Sequence, residues 1–157
     1  MNKILFLLVV LVISSFHLIA QSDVEELIMN EQAETLHIPG LSKANFKKLS
    51  GEENLVENGG HYMLDSKGDM SYTGNNAIIV LQDNSKLYLM GNNNIIVIGE
   101  NANASVIGNK NSIYILDGGT LNLTGNSNSI SREKNTNVSS MGLENTNDEF
   151  ENIESGL

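Results

Sequence analysis

The chain has 157 residues, a formal net charge of −10 at pH 7 and no cysteine. A chain of this length is expected to form one domain. The negative charge argues against nucleic acids and anionic membrane surfaces as partners, because phosphate binding requires patches of Lys and Arg. Without cysteine the chain can form no disulfide and carry no cysteine-linked lipid.

Residues 1–20 have the pattern of a secretory signal peptide. Met1-Asn2-Lys3 is a short positive start, the apolar run ILFLLVVLVI follows, and the small residue Ala20 precedes Gln21. This arrangement is typical of a signal peptide that is cleaved after Ala20. A membrane anchor is the alternative, but the apolar run is short for a span and no basic flank follows it. We therefore expect a secreted, extracellular or cell-surface protein of bacterial type, with the periplasm as the alternative and no membrane span after cleavage.

Residues 21–56 are predicted to form a helical leader. Ser22 and Glu25 fit a capping box at the start of a helix over residues 22–36, which Pro39-Gly40 would end. A second short helix is predicted over residues 42–51. Because a repeat follows, this segment is expected to form a small helical cap over the open end of that repeat. A mobile leader is the alternative.

The dipeptide Gly-Asn recurs every 17 residues, at Gly74, Gly91, Gly108 and Gly125. Self-similarity at a fixed period is the signature of a solenoid. Counted from the glycine, positions 6, 8, 14 and 16 are apolar, which gives two alternating strand patterns per block with turn residues between them. The pattern reaches back to residue 57 and decays in the fifth block, where Arg132 and Ser140 fall on core positions. The predicted fold class is an all-β, short β-solenoid with 17-residue coils over residues 57–141.

The asparagines that follow each glycine are predicted to lie at the corners of the solenoid. Asparagine tolerates the left-handed conformation and hydrogen-bonds its own backbone there. Identical asparagines on successive coils can also bond to one another as a ladder. The two predicted structural ladders are Asn75, Asn92, Asn109 and Asn126, and Asn94, Asn111 and Asn128.

The outward positions of the first strand in each coil are unusually apolar. Strands that are apolar on both sides are usually buried on both sides, and an exposed apolar patch marks an interaction surface. Either the N-terminal helix covers this face or another chain does. The residues of this predicted binding face are Ile78, Val80, Ile95, Val97 and Tyr114.

Residues 142–157 form an acidic segment that is predicted to be a disordered, solvated tail. Its carboxylates are Glu144, Asp148, Glu149, Glu151 and Glu154.

The sequence contains no recognisable catalytic or cofactor motif. His37 and His61 lie far apart in the pattern, and neither a metal site nor a cofactor is predicted. An acidic column at Asp83, Glu100 and Asp117 could serve acid–base chemistry or bind calcium. Solvated turn carboxylates are the favoured interpretation, so we predict that the protein is not an enzyme.

The first half of each coil reads G-x-x-N-x-φ-x-φ, as in Gly91-Asn94-Ile96-Ile98. This pattern resembles the repeat of bacterial curlins and is equally similar to the GNNN-type repeats of other secreted bacterial domains. Curlin coils are longer, however, and their strands close with glutamine, which only Gln82 supplies here. The resemblance implies a secreted structural or interaction protein of the cell surface or extracellular matrix, a fibre subunit or nucleator that assembles with itself by coil stacking. A binding module for a polysaccharide or a partner protein is the first alternative, and a small β-helix hydrolase or lyase is the second.

Overall fold

The computed structural model of the chain describes residues 45–149. These residues form a β-solenoid of about six turns, each of roughly 17 residues. Every described element is a strand. The strands are β1 (Lys47–Leu49), β2 (Glu52–Val56), β3 (His61–Leu64), β4 (Asp69–Thr73), β5 (Ile78–Leu81), β6 (Lys86–Met90), β7 (Ile95–Ile98), β8 (Asn103–Ile107), β9 (Ser112–Ile115), β10 (Thr120–Thr124), β11 (Ser129–Arg132), β12 (Asn137–Met141) and β13 (Thr146–Glu149).

The strands form two parallel sheets. The seven odd-numbered strands make one sheet, here called the odd sheet, and the six even-numbered strands make the other, the even sheet. Each strand pairs with its equivalent one coil away, so that Ile79 lies beside Ile96 and Ile96 beside Ile113. The 17-residue spacing of the sequence is therefore the register of both sheets.

The core lies between the two sheets and is filled by the predicted inward positions. In the coil that begins at Gly74 these are Ile79, Leu81, Leu87 and Leu89, all buried. The pattern holds through Ile130, which is fully buried. The alternation of apolar and polar residues in the sequence therefore predicted the core, because successive strand residues point to opposite faces of a sheet.

Each coil turns through residues in the left-handed conformation. At the first corner this residue is the third of the block counted from the glycine, as at Asn93, whose φ is 55°. At the second corner Asn84 and Asn101 adopt the same conformation, with φ of 61° and 55°. Asparagine accepts this conformation at a lower cost than most residues. Lys110 and Ser127 adopt it at the first corner of later coils, which shows that the stacked coils impose the turn even on residues that do not favour it.

The prediction of a helix over residues 42–51 is wrong in its described part. Residues 45–56 instead form β1 and β2, which add a coil before the predicted start of the solenoid at residue 57. Leu49 pairs with Leu64 and is buried, and Leu55 pairs with Tyr72. Gly51, which was expected to end a helix, has φ of 78° and turns the chain between the two strands. Pairing with the next coil therefore outweighs local helix propensity. The predicted helix over residues 22–36 lies outside the described residues.

The prediction of a disordered tail is also wrong in its described part. Residues 146–149 form β13, which pairs with β11 at the edge of the odd sheet. The Thr146 N–H donates to the Asn128 carbonyl over 2.9 Å, and Asn145 continues an asparagine ladder. These main-chain bonds order the segment although all four side chains of β13 are exposed. Residues 150–157 lie outside the described residues.

Two tyrosines close the core near the N-terminal end of the described solenoid. The Tyr62 hydroxyl donates to Glu57 Oε1 over 2.6 Å, and the Tyr72 hydroxyl donates to the Glu57 carbonyl over 2.7 Å. Their rings contact each other with centroids 5.8 Å apart. Burial, followed by the bond to Glu57, raises the pKa of Tyr62 to about 12, and burial also raises the pKa of Tyr72.

We expect the free energy of unfolding to fall as the pH rises from about 10 to about 12. Over this range a tyrosine in the unfolded chain has lost its proton while Tyr62 in the folded chain keeps it, so the folded state binds more protons. Urea unfolding at successive pH values should show the fall, and Tyr62→Phe should make it shallower. An equally steep fall in Tyr62→Phe would show that other groups cause it.

Candidate binding surface

The predicted binding face lies on the outer side of the odd sheet, and its centre is buried. Val80 and Val97 are only 4% and 3% exposed. Ile78, Ile95 and Tyr114 are partly exposed, and burial raises the pKa of the Tyr114 hydroxyl. Only these three of the five predicted residues present surface to a partner. The two coverings predicted for this face are the helix over residues 22–36, which lies outside the described residues, and a second chain.

A different surface carries the exposed apolar side chains of the described residues. Four of them occupy one register position, the last residue of an even strand, and form what we call the edge column: Val56, Met90, Ile107 and Met141. Thr73 and Thr124 stand at this position on the intervening coils. Tyr88 lies two residues before the column on β6, and Leu143 lies at the corner that follows β12. Across residues 45–149 the large exposed hydrophobic residues are Val56, Tyr88, Met90, Ile107, Met141 and Leu143.

The sequence holds a signal for this surface at the last outward position of the second strand in each coil. Met90 precedes Gly91-Asn92 and Ile107 precedes Gly108-Asn109, both at outward positions, whereas Thr73 and Thr124 precede the other two Gly-Asn pairs. Met90 and Ile107 are 17 positions apart in the sequence, and polar residues occupy outward positions near them. The column therefore escapes a search for continuous apolar runs and becomes visible only when equivalent positions are compared between coils.

One predicted asparagine ladder runs beside the edge column and is here called the outer ladder. Asn92 donates its main-chain N–H to Asn75 Oδ1 over 2.8 Å and its side-chain amide to the same oxygen over 3.1 Å. Asn109 and Asn126 repeat this geometry on the next coils. Because an asparagine amide carries two N–H donors and the ladder uses one of them, each rung retains a donor for a ligand or for water.

A groove of about 510 Å³ separates the edge column from the outer ladder and spans four coils. The glycines Gly74, Gly91 and Gly108, which have no side chain, line it between the two columns. Its lining is largely apolar along the edge column and carries amides along the outer ladder. The residues that line the groove are Val56, Glu57, Asn58, Thr73, Gly74, Asn75, Met90, Gly91, Asn92, Ile107 and Gly108.

The second predicted ladder is present too, but its asparagines are buried. Asn94, Asn111 and Asn128 are each 1% exposed. Each of them sends its side-chain amide to the Oδ1 of the next asparagine and to a main-chain carbonyl one coil back, as Asn94 does to Gly74 over 3.2 Å. This inner ladder holds the coils together, and only the outer ladder can meet a ligand.

The acidic column lies at the second corner and is exposed. Asp83, Glu100 and Asp117 point to solvent, and their main-chain carbonyls accept bonds from the turn residues one coil back. Among the described residues no group of three or more His, Asp or Glu side chains is placed to hold a metal ion. His61 instead contacts the Phe46 ring, with centroids 6.0 Å apart. The geometry gives these carboxylates the role of turn residues.

Comparisons with protein-family models, with curated proteins and with solved structures found no match. Within residues 45–149 no helix is long and apolar enough to cross a membrane. The similarity to curlins therefore rests on the repeat pattern alone.

Proposed function

We propose that the chain is an exported, non-enzymatic interaction protein that binds a neutral polysaccharide along the groove between the edge column and the outer ladder. One observation carries this proposal: the large hydrophobic side chains that the described residues expose are gathered along one edge of the even sheet. Met90 and Ile107 lie beside each other on successive coils, and exposed apolar surface that polar residues border is typical of interaction sites. The curlin-like fibre stays a prediction.

The chemistry of the groove fits a sugar polymer. A sugar ring has an apolar C–H face, which suits side chains such as Met90 and Ile107, and hydroxyl groups, which suit the amides of Asn75 and Asn92. Because coils repeat every ~4.8 Å, a linear polymer with a repeating unit can make similar contacts on successive coils. The lining carries one charged residue, Glu57. Together with the net charge of −10, this argues against an anionic polymer.

The enzyme alternative depends on the acidic column, which lies at the other corner of the coil. Acid–base catalysis requires a carboxylate beside a bound substrate, and the exposed turn position of Glu100 provides no such enclosure. Any hydrolase or lyase activity of the secreted protein should fall strongly in Glu100→Ala if this column is catalytic. An activity that Glu100→Ala leaves unchanged would have its origin elsewhere.

We expect Met90→Asp/Ile107→Asp to weaken polysaccharide binding at least tenfold. Each substitution places a charge in the apolar wall and removes a contact, and a tenfold loss needs only about 1.4 kcal/mol. Depletion of the purified protein by insoluble cellulose, chitin and starch would measure the affinity. Ser129→Asp/Ser131→Asp is the matched control, because it adds the same two charges to the outer side of the odd sheet.

Two results would overturn the proposal. One is that the wild-type protein binds none of the three polymers. The other is that the wall variant and the control bind equally well. A purified surface protein that binds the wild type and loses binding only in Met90→Asp/Ile107→Asp would show that the groove is a protein-binding site instead.

A further inference from the structure

We propose that the C-terminal end of the solenoid is a built-in stop that prevents a second copy of the chain from stacking onto it. This inference concerns the end of the rod and is independent of what the groove binds. It rests on the change from apolar to polar residues at inward positions over the last one and a half turns of the described solenoid. A solenoid end with an apolar core and free strand edges would favour addition of another copy.

The inward positions become polar at this end. Ile115 pairs with Arg132, which pairs with Glu149, and Ile130 pairs with Asn147. On the even sheet Leu123 is followed by the exposed Ser140. Except at Val138, which still packs against the core, the core positions that are aliphatic in the interior coils are therefore occupied by charged, amide and hydroxyl side chains where the described solenoid ends.

These polar side chains bond to one another across the end. Arg132 Nε donates to Asn147 Oδ1 over 2.9 Å, and Arg132 forms an ion pair with Glu149 at 3.5 Å. Arg132 also donates to Thr136 Oγ1 over 3.5 Å. A second copy stacked on β13 would remove the Arg132–Glu149 pair from water, and desolvation of an ion pair can exceed the attraction within it. The network therefore opposes stacking.

The outer ladder ends at the same level. Leu143 stands where the earlier coils have Asn126 and Asn109, and its main-chain N–H donates to Asn126 Oδ1 over 2.8 Å. Its side chain offers no acceptor for a further coil, so an added copy would gain no ladder bond there. The inner ladder continues one coil further, to Asn145. Its side-chain amide turns back to the Gly125 carbonyl and to Ser140 Oγ.

The charged side chains at the two ends of the described solenoid do not favour stacking either. In a head-to-tail stack β13 would pair in register with β1 of the next copy, which places Asn147 beside Lys47, Asp148 beside Lys48 and Glu149 beside Leu49. Lys48 and Asp148 are exposed, and an ion pair between exposed side chains contributes little. In a tail-to-tail arrangement Asp148 and Glu149 would face the same carboxylates of the second copy and repel them.

The test compares the wild-type full chain with Arg132→Ile/Asn147→Ile/Glu149→Ile, which restores the aliphatic residues of the interior coils. Sedimentation velocity over a hundredfold range of concentration should find no end-to-end oligomers of the wild type. It should find linear oligomers of the triple variant, and fibres of that variant should diffract at a repeat of ~4.8 Å along their axis. Ser129→Ile/Ser131→Ile/Asp148→Ile is the matched control, because it adds three isoleucines to the outer side of the same two strands.

Circular dichroism establishes that each variant is folded. Ser140→Leu/Asn147→Ile keeps the ion pair and provides a second, milder variant, which should associate more weakly than the triple variant. Wild-type protein that forms axial stacks by itself would overturn the proposal. So would folded variants that remain monomeric, or a control that associates as strongly as the triple variant.

Discussion

Asn111→Leu is expected to lower the free energy of unfolding by about 3–5 kcal/mol, because it leaves several buried polar groups without partners. Asn111 Oδ1 accepts the main-chain N–H of Asn94 over 2.9 Å and its side-chain amide over 3.1 Å. The Asn111 amide donates to the Gly91 carbonyl over 3.1 Å. Leucine has a similar size but cannot replace any of these bonds. Urea unfolding of both proteins measures the difference.

The matched control is Asn109→Leu, two residues earlier on the same corner. Asn109 Oδ1 also accepts two bonds, from Asn126, but the side chain belongs to the exposed outer ladder. Water can replace its partners there, so we expect a loss of about 1 kcal/mol or less. Similar losses in Asn109→Leu and Asn111→Leu would show that burial of the inner ladder does not determine its contribution.

The contrast between the ladders also shows what the sequence can and cannot predict. In Gly91-Asn92-Asn93-Asn94 the spacing predicted a corner and two ladders, because equivalent positions of stacked coils must coincide. It did not distinguish three roles for three identical residues. Asn92 bonds on the outside, Asn93 adopts the left-handed conformation, and Asn94 is buried. Exposure depends on which way the corner turns, which the residue type does not encode.

The ends of the solenoid were harder to predict than its middle. The first coil has no Gly-Asn pair, and the Lys-rich segment before Gly51 has good local helix propensity. Its strands form because Leu49 and Leu55 pair with the coil above. The last strand, β13, has the acidic composition that predicts a solvated tail, yet main-chain bonds to β11 order it. Local composition misleads where a neighbouring coil supplies the hydrogen bonds.

The structure shows an exposed surface that the strand patterns did not predict. Apolar outward residues such as Val80 and Val97 predicted a covered interaction face, and both are buried. Met90 and Ile107 stand out less because polar residues surround them in the sequence. Exposure results from how whole coils stack and turn, so a comparison between coils identifies the edge column better than the character of any single strand.

Gly91→Ala is expected to have the largest effect on stability, a loss of more than about 4 kcal/mol or failure to fold. A Cβ atom at this position would lie 1.7 Å from the Gly74 carbonyl oxygen and 2.7 Å from its carbon. Both atoms belong to the main chain of the neighbouring coil, so no side chain can move aside. The contact can be relieved only if the two coils separate, which would lengthen the bond from the Gly74 N–H to the Met90 carbonyl, 3.0 Å in the native protein.

Gly51→Ala separates this steric effect from the general cost of replacing a glycine. Gly51 has φ of 78°, and no atom lies within 4 Å of the position that its Cβ would occupy. The substitution therefore costs only the backbone strain of a left-handed alanine, about 1–2 kcal/mol. Thermal and urea unfolding of both variants measure the difference. If Gly91→Ala proved no more destabilising than Gly51→Ala, successive coils would not approach each other as closely at Gly91 as we describe. The steric explanation for the glycine in each Gly-Asn pair would then be wrong.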